Sequence, residues 1–147
     1  MTVPRFIEMW IIKTIILLTL LLYASVMDIK TREVQNSVSG MLLILGLVDK
    51  DIDQLPSMII GALLVFLPQF VSALINPSKA LGGADIKISS SAAFLLGTPN
   101  GLFTLIVGLT LAVIVMPIIR RIRKLPKDQP FPLIPFISLG IIAGYFI

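Results

Sequence analysis

Six apolar stretches separated by short polar breaks dominate the chain, at roughly residues 10–27, 37–48, 57–75, 86–97, 102–119 and 133–147. No single soluble core hides that much apolar surface. Of the 147 residues 56% are hydrophobic and only 14% charged, against about 45 to 50% and about 25% in an ordinary soluble domain. The bilayer must therefore serve as part of the solvent. The pattern predicts an all-α membrane protein: one polytopic domain over residues 1–147, a bundle of about six transmembrane helices. The second and fourth stretches hold only about 12 residues, or ~18 Å of helix, less than the ~30 Å hydrocarbon core. Flanking residues lengthen them, or they begin partway into the membrane, where polar neighbours need a wet cavity or protein cover. Pro68 is expected to kink the third helix, and Pro117 to stand near the end of the fifth. The first stretch reads as a retained helix and not a cleaved signal. A cut after Ala24 or Ser25 would put Leu22 or Tyr23 three residues before the bond, and Lys13 interrupts the run.

The chain contains no cysteine and no histidine. That excludes disulfides, thiolate zinc sites and cysteine nucleophiles, along with the usual general base and every Ser-His or Cys-His arrangement. Hydrolytic chemistry here has to come from carboxylates, lysines or hydroxyls. The net charge of +4 does not indicate a nucleic-acid partner, because the only basic cluster, "RRIRK" at 120–124, has no interleaved aromatics.

The basic residues instead give an orientation. Lys30, Arg32, Lys79, Lys87, Arg120, Arg121, Arg123, Lys124 and Lys127 fall in alternate loops, while the opposite loops carry Arg5 and Lys50 beside Asp49, Asp51 and Asp53. The positive-inside rule then places the N-terminus outside and the larger group at the cytoplasmic face. Asp28, which ends the first apolar helix, and Asp85, which immediately precedes the fourth, both reach that face. The other acidic residues fall in polar loops.

Two carboxylates held close in a site of low polarity do not both ionise easily, so one keeps its proton near neutral pH. An aspartic protease needs that state: the ionised partner takes a proton from the attacking water and the protonated partner donates to the substrate. Such a pair needs no metal or cofactor. Three other readings stand beside it. Asp28 with Lys30, and Asp85 with Lys87, are also what ordinary helix ends with snorkelling lysines look like. A small non-enzymatic protein, a transporter subunit or assembly factor, would use the same pair to bind a cation or proton, although no repeat with interrupted helices is evident. Ser89, Ser90 and Ser91 beside Lys87 spell a serine-lysine arrangement, yet serines at such positions mostly bond to helix carbonyls. The glycines of "GGAD" favour a special backbone or a close approach over a plain helix start.

These residues resemble a known family. "MDIKTREVQN" at 27–36 is similar to the first-aspartate motif of the type IV prepilin peptidases, with an Asp, a Lys two positions later and an Asn further on. "GGADIK" at 82–87 is similar to their Gly-x-Gly-Asp-x-Lys motif, and "PLIPFISLGIIAG" to their Pro-Phe-rich last helix. Ala84 stands where the pattern has its second glycine, and Gln35 where many members have proline. The resemblance implies a short six-helix membrane aspartic protease of a prokaryotic cell membrane, with Asp28 and Asp85 as catalytic dyad and Gly82, Gly83, Lys30, Lys87 and Asn36 in support. It implies removal of the leader of prepilins or pilin-like proteins at the cytoplasmic face, just before the pilin's apolar helix. It implies no methyltransferase activity, since the extra segment of bifunctional members, often with paired cysteines, has no room here. The expected partners are prepilin-like substrates and membrane lipids. A neighbouring reading frame with a short basic leader, a glycine and an apolar 20-mer would favour this reading over ion binding, whereas an intramembrane protease for other peptides would differ only in substrate. "GIIAG" at 140–144 reads as a small-residue packing face inside the bundle, and Trp10 and Tyr145 as interface anchors on the outer side.

Overall fold

The computed structural model describes residues 4–78 and 81–147. Lys79, counted above among the cytoplasmic basic residues, lies outside them. The described residues form six helices and no strand: α1 (Arg5–Thr31), α2 (Asn36–Leu47), α3 (Leu55–Ile75), α4 (Gly83–Leu96), α5 (Thr98–Arg123) and α6 (Ile134–Phe146), with a short 3₁₀ turn at Ile52–Gln54. Three segments, Arg5–Thr31, Ile52–Ile75 and Thr98–Arg123, are long and apolar enough to cross a membrane. Only 22%, 22% and 17% of their most apolar windows are buried within the protein, so most of that surface requires a non-aqueous surrounding.

Helices α1, α4 and α5 begin earlier or end later than the apolar stretches that announce them. Helix α1 continues one turn past Asp28, to a left-handed Arg32 (φ 58°) whose N–H donates to the Asp28 carbonyl. Helix α5 likewise runs through Arg120, Arg121 and Arg123 to Lys124 (φ 52°), where cations near the helix C-terminus meet its negative dipole end. Pro117 therefore lies inside α5 and not near its end, and Pro68 lies inside α3. Asp85, expected just ahead of α4, stands in its first turn. Between α4 and α5 the chain turns on Gly97 alone, at φ 82°, a conformation that glycine adopts without steric cost.

Helix α4 occupies the centre, packed against α2, α3, α5 and α6, while α1 packs only on α2 and α6. The central position explains the small residues of α4: Ser89, Ser91, Ala92 and Ala93 are all buried. Gln69 of α3 donates to the Ser89 hydroxyl at 3.1 Å, which keeps that polar pair satisfied in the core. Gly140 and Gly144 face α5, where a Cβ on Gly140 would meet the Thr104 carbonyl and the Gly108 backbone. The 140–144 stripe is thus internal packing. At the end of α1 remote from Asp28, Trp10 stacks on Tyr145 at 6.4 Å, and Thr14 and Tyr145 hydroxyls lie 3.1 Å apart. Lys13 donates to the Val48 carbonyl at 2.8 Å, closing the C-terminal end of α2.

Both departures from the family motif fit the backbone. Ala84 is helical, in the first turn of α4, so it needs no positive φ. Gln35 has φ −63° and ψ 140°, angles a proline adopts unstrained. Four substitutions test these points by thermal unfolding in detergent. Ala84→Gly should cost up to about 1 kcal/mol. Gln35→Pro should gain about 0.4 to 1 kcal/mol by restricting the unfolded chain. Gly140→Ala should cost about 1 to 3 kcal/mol through overpacking, whereas Gly40→Ala, with nothing within 4 Å of the added Cβ, should be neutral or mildly stabilising.

Candidate active site

Asp28 is buried near the end of α1, and Asp85 is half-buried at the third position of α4. Both line one cavity of about 860 Å³, walled on one side by Leu109, Ala112 and Met116 of α5 and on another by Gln129, Pro130 and Phe131 ahead of α6. The backbone N–H of Ile134 donates to Asp28 Oδ2 at 3.0 Å. That donor is one of the first-turn amides of α6 with no partner inside its own helix, so Asp28 caps a helix 106 residues further along the chain. The Gly82 N–H donates to Asp85 Oδ2 at 3.1 Å, the backward bond by which an acidic third residue closes its helix start. One oxygen of each carboxylate is thus fixed by the backbone, and Oδ1 of each stays out of these two bonds.

Gly82 lines the same cavity, and a Cβ there would sit 3.0 Å from Asp85 Oδ2. Its smallness lets the carboxylate fold back onto the chain. Gly83 has open space where its Cβ would be. Lys87 and Asn36 are brought to each other: Lys87 Nζ donates to Asn36 Oδ1 at 2.8 Å, joining the first turn of α4 to the start of α2. Neither residue lines the cavity, and Lys30 is exposed and likewise not part of its wall. The serine-lysine arrangement does not form. Ser89 and Ser90 donate to the Ile86 carbonyl while Lys87 turns to Asn36.

The cavity also holds residues to which the sequence reading gave no part in the site. Arg32, Arg120, Lys127 and Asp128 line it. Arg32 Nη1 donates to the Pro130 carbonyl at 2.6 Å, and Arg120 Nη1 and Nη2 donate to the carbonyls of Lys127 and Gln129 at 3.0 and 2.9 Å. The result is a closed circuit: Asp28, one helical turn to Arg32, across to Pro130, along the chain to Ile134, and back to the Asp28 carboxylate. Arg32 was visible in the sequence as a cation four residues after Asp28. Arg32 and Arg120 also count among the basic residues that set the orientation.

Asp85 belongs to none of the three segments long enough to cross a membrane. Its carboxyl is pushed up to about 6, by burial first and by the charge of Asp28 second, against the opposing bond from Gly82. A carboxyl in that range donates a proton readily near neutral pH. A second carboxylate on the same cavity supplies an acceptor. The arrangement has the two groups that general acid–base hydrolysis requires.

No curated protein and no solved structure matches this chain. A family model, that of the type IV leader peptidase family, matches residues 15–117. The match takes in Asp28, Asp85 and every supporting residue named above, and stops before the "RRIRK" cluster and α6. Three long apolar helices agree with a multi-pass membrane peptidase. A match over more than two-thirds of the sequence decides the relationship: the chain belongs to the type IV leader peptidase family.

Proposed function

We propose that this protein is a membrane-embedded aspartic endopeptidase that removes the leader of prepilins or pilin-like proteins, with Asp28 and Asp85 as its dyad. The observation that carries the reading is the meeting of two carboxylates from different helices on one cavity, each fixed by a backbone N–H. In the reaction, Asp28 takes a proton from a water as the water oxygen bonds to the scissile carbonyl carbon. Asp85 gives its proton to the carbonyl oxygen. Collapse of the tetrahedral species breaks the carbon–nitrogen bond, and the leaving nitrogen takes a proton from the dyad. The cavity of about 860 Å³ lies within the usual range for a ligand site, about 300 to 1,000 Å³, and has room for an unwound peptide segment.

All six helices belong to one membrane domain in this reading, with the N-terminus outside. Arg120, Arg121 and Arg123 in the last turn of α5, with Lys124 and Lys127 just beyond it, stand at the dyad end of the bundle, and the positive-inside rule makes that end cytoplasmic. The cell membrane of a prokaryote is the setting. Gly82 lets Asp85 fold back, Gly83 starts α4, and Lys87 with Asn36 fixes α4 against α2. Lys30 meets lipid headgroups. Methyl transfer is not part of the proposed activity.

Cleavage of a tagged prepilin-like substrate in membranes tests the dyad. Asp28→Asn and Asp85→Asn should each hold wild-type protein levels and lose at least about 100- to 10,000-fold in rate. Either variant cleaving at a comparable rate would return the pair to helix-end or ion-binding roles. The pH profile gives a second check. With Asp85 as proton donor and its carboxyl at about 6, kcat/KM should fall about tenfold per unit above that value; a profile flat from pH 5 to 8 would remove Asp85 from the acid role.

A further inference from the structure

Helices α1 and α5 both pack on α6 and do not pack on each other. Between their basic ends lies a second hollow, a groove of about 600 Å³. Its walls are apolar, with Ile29 from α1, Ile122 from α5 and Phe136 from α6, and it carries Arg32, Arg120 and Arg123. Ile29 is 56% and Ile122 75% exposed, so water would meet apolar side chains here if nothing covered them. The guanidinium groups of Arg32 and Arg120 donate to the backbone carbonyls of Pro130, Lys127 and Gln129. Those acceptors hold the two groups in place without neutralising their charge. Fixed guanidinium groups suit phosphate oxygens, which accept paired N–H bonds.

An apolar trough edged by three positive charges, at the membrane end where basic residues gather, complements an anionic head carrying an acyl chain. We propose that the groove between α1 and α5 binds one anionic phospholipid of the surrounding leaflet, its phosphate on Arg32, Arg120 and Arg123 and an acyl chain along Ile29, Ile122 and Phe136. Basic pockets between helices at the cytoplasmic side bind anionic headgroups by the same chemistry. Arg32 and Arg120 also line the dyad cavity, so the lipid headgroup stands next to the active site.

The full chain, released from micelles doped with equal phosphatidylglycerol and phosphatidylcholine of identical acyl chains, is to be read by native mass spectrometry. The expected result is one retained phosphatidylglycerol, favoured over phosphatidylcholine by about fivefold or more per engaged arginine. Arg123→Glu, a change of two charge units, should cut that preference at least about fivefold. Arg121→Glu, the same charge change at a residue outside the groove lining, should keep it. Equal retention of the two lipids by wild type, or the same loss in both variants, overturns the proposal. The readout does not involve cleavage, so it stands or falls separately from the peptidase reading.

Discussion

A carboxylate sunk among apolar helices has to find a donor, and Asp28 finds the one that α6 cannot satisfy for itself. The bond from the Ile134 N–H to Asp28 Oδ2 meets two needs at once: an orphan amide at a helix start and a buried oxygen. It also locks α1 to α6 at the end of the bundle where chemistry is expected. Helix α6 is held in turn by the close approach of its glycines to α5. The position of one catalytic candidate therefore depends on packing several turns away, with Arg32 on Pro130 as the second tie.

Asp85 is held by a different logic. It sits on the central helix, whose small buried side chains allow four neighbours to pack around it, and it closes its own helix start on Gly82. Lys87 and Asn36 bind that first turn to α2, so the motif lysine acts here on the scaffold beside the acid and not on the cavity. One carboxylate is oriented by a distant segment and the other by its immediate neighbours, a difference that the spacing of the two motifs does not reveal.

Much of this was legible beforehand. The six helices follow from the apolar stretches, and Asp28 and Asp85 stood out because they are the acids nearest those stretches. Helix ends were less legible, since hydropathy marks where a segment is apolar, whereas a helix continues until its caps. Thr98 and Pro99 start α5, and the arginines after Ile119 extend it. Arg32 and Arg120 went unassigned because their partners are backbone carbonyls of a returning loop, and no residue pattern announces a carbonyl. The bond from Ile134 was equally hidden: that amide is visible in a sequence only once the start of α6 is known.

Helix α1 packs on two helices, carries one of the two acids, and at 27 residues is ~40 Å long against a ~30 Å hydrocarbon core. A helix longer than the bilayer tilts or projects from it. Tilting α1 moves Asp28 relative to Asp85, which stays with the central helix. Membrane thickness thereby becomes one of the coordinates of the candidate site.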